Sequence, residues 1–322
     1  MSSAALRSTM APLVRRTRAY LAPIDRATNT PAVFDPGKYG WFDLDAAPSP
    51  WLDLGWIENF KRTPATRLTL LRAGAKGAAQ AQFRSGLEAR VELEFREWGK
   101  LQMALAGGSQ NMNVLATQSS ADAVGSGGSA VDAVPALPGS NAAQVVVGAG
   151  IVDGFDAGDL IAVDADYQQQ TGYVGSGIPG AYVKDPVDVL RDKDYVRRVT
   201  FNVARVASKT SNTLMLAQPL PAGIPANALV QRVVAFVDRE GGSFFQEWSA
   251  VFVLEPYSGG RVCFHYPRLQ AAAPAAESAY QLDALEGAAL KASFLALSHH
   301  DINDGEDVLC YRSYFPAAGA EI

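Results

Sequence analysis

Glu88, Glu92 and Glu94 stand at even spacing in the run EARVELEF, with Arg90 between them. Even spacing on a strand puts all four side chains on one face. Paired acids on one face can do general acid–base work, as in glycoside hydrolysis. The plainer expectation is a solvated sheet face. Like charges side by side still cost roughly a few tenths of a kcal/mol per close pair, so the row asks for a use. Cys263 and His265, two residues apart, offer a nucleophile and a base on one strand face. The chain has only three histidines, and no third orienting group accompanies the pair. His299, His300 and Asp301 carry metal donors, but neighbours on a strand point to opposite faces. Asp301, Asn303, Asp304, Glu306 and Asp307 imitate a calcium loop. Its glycine, Gly305, comes one residue early, and Arg312 stands where the closing Glu belongs. VVVGAGIVDG, at 145–154, imitates a dinucleotide loop. Asp153 replaces the third glycine, and no helix follows to receive a pyrophosphate. We therefore expect turns and solvated loops at these places, with no catalytic residue, cofactor or metal.

The carboxylate row belongs to residues 83–108, FRSGLEARVELEFREWGKLQMALAGG. Leu87, Ala89, Val91, Leu93 and Phe95 alternate with the charged residues, which reads as a strand with one apolar face. The period then changes. Trp98, Leu101 and Leu105 recur at helical spacing, and Gly107 and Gly108 follow as a C-terminal stop. Gly99 would lie inside that helix, at about 1 kcal/mol relative to Ala. The stretch reads as a strand feeding a short helix.

The totals set limits. A chain of 322 residues suggests about two domains. Apolar residues make up 48% and charged residues 19%, as in ordinary globular proteins. A net charge of −5 argues against an open nucleic-acid-binding surface. No apolar run is long enough to span a membrane, so membrane insertion is not expected. The N-terminus lacks the apolar core of a secretion signal. Its arginines, without an acid until Asp25, also suit an import sequence, but an arm that grips a partner fits better. Cys263 and Cys310 sit in strand-like runs and are expected as free thiols rather than a disulfide.

Taken in order, residues 1–50 are broken by Pro12, Pro23, Pro31, Pro36, Gly37, Pro48 and Pro50, and read as arm and loops. Residues 51–115 hold strand candidates at 51–62 and 66–72, then the strand and helix above. Between them, LRAGAKGAAQAQF has the composition of a long mobile loop. Residues 116–143 are rich in Gly, Ser and Ala and read as a linker. Residues 144–238 suggest further strands at 144–147, 159–163, 195–206, 213–216 and 228–236, separated by turns, as in a small inserted barrel or sandwich. Residues 239–322 resume the first domain. They suggest a hairpin over 247–255 and 261–266 around PYSGG, and a second antiparallel pair over 290–297 and 308–315.

Three stretches carry a family likeness: WLDLGWIENFKRT, the run from RAGAKGAAQAQF to GGSQNMNVL, and ALKASFLALSHHDINDGEDVLCYRSYFP. They resemble the tail tube proteins, or major tail proteins, of long-tailed bacteriophages, over roughly 51–115 and 240–316. The resemblance implies a mainly β fold: a tail-tube β-sandwich with one flanking α-helix, here carrying an inserted β domain. It implies hexameric rings stacked into a virion tube, assembled in the bacterial host cytoplasm, through which DNA is ejected without specific binding. Sheath, tape-measure, baseplate and tail terminator proteins would be the further partners. By analogy Ala73, Gly74, Lys76, Gly77, Gln80 and Gln82 would reach the neighbouring ring. If Glu88, Arg90, Glu92 and Glu94 face the lumen, three acids less one base give −2 per subunit, and six copies would give an acidic bore that repels phosphate. A receptor- or carbohydrate-binding β module of the tail tip is the alternative, as is the tube of a phage-derived injection system.

Overall fold

A computed structural model describes residues 14–24, 30–48, 50–73, 78–97, 99–117, 130–165, 194–239, 247–257, 259–272, 277–278 and 289–317. In chain order the strands are β1 (Val14–Pro23), β2 (Leu52–Ala73), β3 (Ala78–Phe95), β4 (Gln110–Leu115), β5 (Val134–Pro135) and β6 (Gln144–Val146). There follow β7 (Leu160–Asp164), β8 (Val203–Lys209), β9 (Thr213–Leu216), β10 (Leu229–Arg239), β11 (Glu247–Pro256) and β12 (Arg261–Ala271). The last are β13 (Glu277–Ser278), β14 (Ala289–Ala296), β15 (His299–His300), β16 (Asp307–Val308) and β17 (Tyr311–Phe315). The helices are α1 (Pro36–Tyr39), α2 (Lys100–Gly107) and α3 (Tyr195–Val199). The fold is mainly β, with antiparallel sheets.

One sheet runs β13-β14-β3-β2-β1-β11-β12-β17, and β14 also pairs with β12. That extra pairing closes β14, β3, β2, β1, β11 and β12 into a six-strand circuit. Alternation then sends every second side chain inside. All six strands feed one core, among them Leu21, Leu54, Val91, Leu93, Phe95, Trp248, Phe252, Tyr266 and Phe294. Helix α2 adds Ala104, Leu105 and Ala106 to it. Closure leaves fewer bare strand edges, which an open sheet of this size would expose. A second apolar layer forms on the outside of β1, β11 and β12. There Tyr20, Val251, Val253 and Cys263 pack under Phe34, Leu44 and Trp51 from the segment between β1 and β2.

The second sheet runs β4-β10-β7-β8-β9-β6, with β5 also on β10. Its core holds Val145, Val147, Phe155, Ile161, Val163, Val206, Leu214 and Val230.

Several expectations need correction. The supposed arm contributes β1, which lies between β2 and β11 at the heart of the circuit. Its arginines hid the strand, because Arg18 is buried and neutralised by Asp45 and Asp53. Residues 1–13 lie outside the described residues. Strand β4 was expected to close the first part of the tube domain, but it pairs with β10 in the second sheet. Part of the expected linker is structured too: β5 pairs with β10, and Ala130 is buried. Residues 195–206 are not one strand; α3 precedes β8. Strands β14 and β17 do not pair with each other. Each pairs with β12, at different ends of that long strand. Gly99 does not weaken α2. It is the N-cap, extended at φ −133°, while Gly108 supplies the left-handed C-cap at φ +59°.

Candidate functional site

The row on β3 is on one face, as its spacing requires. Ala89, Val91, Leu93 and Phe95 are buried in the circuit, so Glu88, Arg90, Glu92 and Glu94 point outward. The register then shows what a single strand cannot. Glu92 lies opposite Lys61 on β2 and pairs with it at 3.5 Å. Glu94 lies opposite Lys291 on β14, with an ion pair of 3.3 Å, and accepts a hydrogen bond from Asn59 at 2.9 Å. Glu58 pairs with Arg96 at 3.1 Å. The −2 of the row is thus offset by the +2 of Lys61 and Lys291, and this face carries no net charge from these groups. The face was expected to be acidic, and it is mixed in sign. The reason is plain: the neutralising bases come from strands 30 and 200 positions away, roughly, and alternation on β3 says nothing of them.

Farther along the same two strands the surroundings change. Strand β2 pairs with β1 only as far as Ile57, and β3 pairs with β14 only from Ala89 onward. Beyond those points, among the described residues, β2 and β3 pair only with each other, up to Ala73↔Ala78. Eleven residues, from Thr63 to Ala73, extend roughly 35 Å at strand rise. Every side chain from Thr63 to Arg72 is exposed, so both faces of this part of β2 meet solvent. Leu68 and Leu71 are 55% and 53% exposed, and Leu70 and Leu87 are exposed as well. A two-stranded ribbon with no cover is at best marginal in water. Its bare edges and leucines are a template for another chain.

The ribbon revises the expected loop at 73–82. Ala73 pairs with Ala78, and Gln82 pairs with Leu70. Gln80 also lies in β3. Gly74, Lys76 and Gly77 lie outside the described residues. Small residues here make a thin ribbon rather than a slack loop. Ala73, Gln80 and Gln82 thus lie on the paired strands toward the far end of this hairpin.

The tempting motifs resolve as follows. Cys263 and His265 are both buried in the outer layer. Burial pushes the thiol up to about 12 and the imidazole down to about 4. Thiol and imidazole both stay neutral at pH 7, the opposite of an activated pair. Cys263 and Cys310 are free thiols. The glycine stretch turns instead of opening a helix: Gly148 and Gly150 have φ of +96° and +80°, and a single 3-10 turn follows at Val152–Gly154. In the acidic loop, Asp301 is engaged internally by Tyr311 (2.6 Å) and Asn303 (2.9 Å). Among the described residues no cluster of three or more His, Cys, Asp or Glu side chains could hold a metal ion.

One titratable group was invisible in the sequence. Lys100, at the start of α2, sends its ammonium between the two sheets. It donates to Asn113 Oδ1 at 2.5 Å and to the Thr200 carbonyl at 3.0 Å. The rings of Phe201 and Phe236 lie 4.7 and 5.0 Å away. Burial lowers its pKa to about 7, against a smaller upward pull from Asp238. Such a lysine has the basicity of a catalytic one. Its protons are nonetheless committed to Asn113 and Thr200, which come from the second unit. Asn113 Nδ2 in turn donates to the Arg197 and Thr200 carbonyls at 2.7 and 2.9 Å. Together with the Phe201–Trp248 ring contact at 5.9 Å, this ties the two units together. No local spacing announces it, because its parts lie a hundred residues apart.

No protein-family model matches this chain. No curated protein matches it either.

Proposed function

We propose that this chain is a structural, self-assembling protein of the tail-tube type, without catalytic activity. Copies associate into hexameric rings, and the rings stack into a hollow tube of a virion tail. Tail sheath, tape-measure, baseplate and tail terminator proteins are the further partners. The observation that carries the reading is the β2–β3 ribbon. It stands clear of the closed circuit with both faces of its β2 part exposed, bare edges and outward leucines. A second copy is the economical cover for it, since every copy brings both the ribbon and the surface it needs. The far end, from Ala73 to Gln82, reaches the next ring in this reading. The charged face with Glu88, Arg90, Glu92 and Glu94 lines the bore. Its mixed signs offer DNA little net pull, whereas a basic lining would hold the polymer by counterion release.

Electron microscopy of the full purified chain tests this. Rings or rods are expected, and Leu68→Lys with Leu71→Lys should leave folded single copies. Wild-type protein that stays monomeric at high concentration would overturn the reading. The lumen assignment has its own test: Glu88→Lys, Glu92→Lys and Glu94→Lys together should slow DNA ejection from tails that still assemble. Unchanged ejection would remove it.

A further inference from the structure

A cavity of about 660 Å³ lies on the outer side of the circuit, between the segment after Thr30 and the loop after His299. Its floor is His265 on β12 and Tyr311 on the neighbouring β17, which are direct cross-strand partners. The two rings stack with centroids 5.6 Å apart. The size falls within the ordinary range for small-molecule sites.

His265 is the informative group. It is 2% exposed, and its Nε2 lies 3.2 Å from the Ala32 carbonyl. A carbonyl only accepts, so Nε2 carries the proton and Nδ1 is left with a bare lone pair. Among the described residues Nδ1 has no hydrogen-bond partner. An unmatched acceptor at this depth is costly, and such groups are rare in folded proteins. A water or a ligand hydroxyl is the kind of donor such a group calls for. Asp301 adds a second acceptor. Tyr311 donates to its Oδ2, while the backbone and side-chain amides of Asn303 donate to Oδ1. These bonds fix the carboxylate and spread its charge, but leave lone pairs for one or two more donors.

The walls are apolar: Pro31, Val33, Phe34, Pro36 and the Tyr311 ring. Ile302, at 90% exposure, stands at the rim with no cover. Among the described residues the charged lining groups are Asp35, Asp301 and Arg312, a net −1, which disfavours an anion. A compact ammonium would want a carboxylate with its charge undivided, but Asp301 is already shared among three donors, and Asp35 accepts from the Gly37 and Lys38 backbone amides. What remains is a neutral molecule with hydroxyl donors along one edge and carbon–hydrogen faces to lie on rings. We propose that this cavity is a binding site for a sugar of one or two rings, with His265 Nδ1 and the Asp301 carboxylate accepting its hydroxyl protons. The site lies in the ribbon-bearing unit, not in the second sheet, and it does not depend on how copies assemble.

Saturation-transfer NMR on the full chain tests this, because it reads ligand signals whatever the size of the assembly. The probes are the methyl glycosides of glucose, galactose, mannose and N-acetylglucosamine, with glycerol as a polyol control and ethylammonium as a cation. At least one glycoside should give saturable transfer, and glycerol should not. Asp301→Asn, at a solvent-facing position, should weaken that glycoside about tenfold. His265→Gln should weaken it at least as much. No saturable glycoside, equal affinity in Asp301→Asn, or saturation by ethylammonium alone would each overturn the proposal.

Discussion

The two ends of the β2–β3 hairpin carry the same kind of sequence and have opposite fates. Near the circuit, Val91, Leu93 and Phe95 alternate with charged residues and are buried. Toward the far end, Leu68, Leu70 and Leu87 alternate in the same way and are exposed. Nothing in the strands changes between them. What changes is the neighbour: β14 covers β3 from Ala89 to Phe95 and stops there. Alternation therefore reports that a strand has an apolar side. It does not report whether the same chain supplies the cover. Where it does not, the apolar side meets solvent, as Leu68 and Leu70 do.

Four measurements would break or sharpen this contrast. The largest effect belongs at the base. Phe95→Ala removes a buried ring and should cost about 3–5 kcal/mol in denaturant unfolding. Next is the pH response of the end held by Lys100. Below pH 7 both folded and unfolded chains hold its proton. Above it the folded chain has released the proton, while the unfolded chain keeps it up to the ordinary lysine value of 10.5. The unfolded state then binds more protons, so stability should rise from about pH 7 to about 10, on the order of a few kcal/mol. Lys100→Met should flatten that rise. Third comes Asn59, where the hairpin leaves the circuit with φ +52°. Asn59→Ala should cost about 1–2 kcal/mol, because a Cβ without a local polar partner resists that conformation. The smallest effect belongs at the far end. Leu70→Ala should change the stability of a single copy by less than about 0.5 kcal/mol and yet weaken assembly, read by sedimentation. A large loss of single-copy stability from Leu70→Ala would mean that the far end is covered within its own chain, and the contrast would fail.

The β3 strand, the α2 helix with its glycine stop, and the β11–β12 hairpin were all legible locally. The hairpin turn shows why: Gly259 and Gly260 take φ of +78° and +80°, which the SGG run supplies. The misses share one cause. Strand β1 looked like an arm because its arginines are satisfied by Asp45 and Asp53, distant in sequence. Strand β4, QNMNVL, looked like the end of one domain because its partner is β10, more than a hundred residues on. The charge of the β3 face was misjudged because Lys61 and Lys291 arrive from other strands. At the sugar site, Cys263 and His265 drew notice as a pair. The group that matters with His265 is Asp301, brought in by the Tyr311 hydroxyl.

Gln110 sits directly across from Arg239, so the second unit leaves and re-enters the first through two adjacent strands. A module joined this way can be exchanged once its side of the seam, including Val199, Phe201 and the partners of Lys100, is replaced. Trimming it at that rung would leave two ends within a short turn's reach, and the six-strand circuit would keep all its own pairings. Descendants of a common ancestor could then lose, gain or swap this appendage without redesigning the circuit itself.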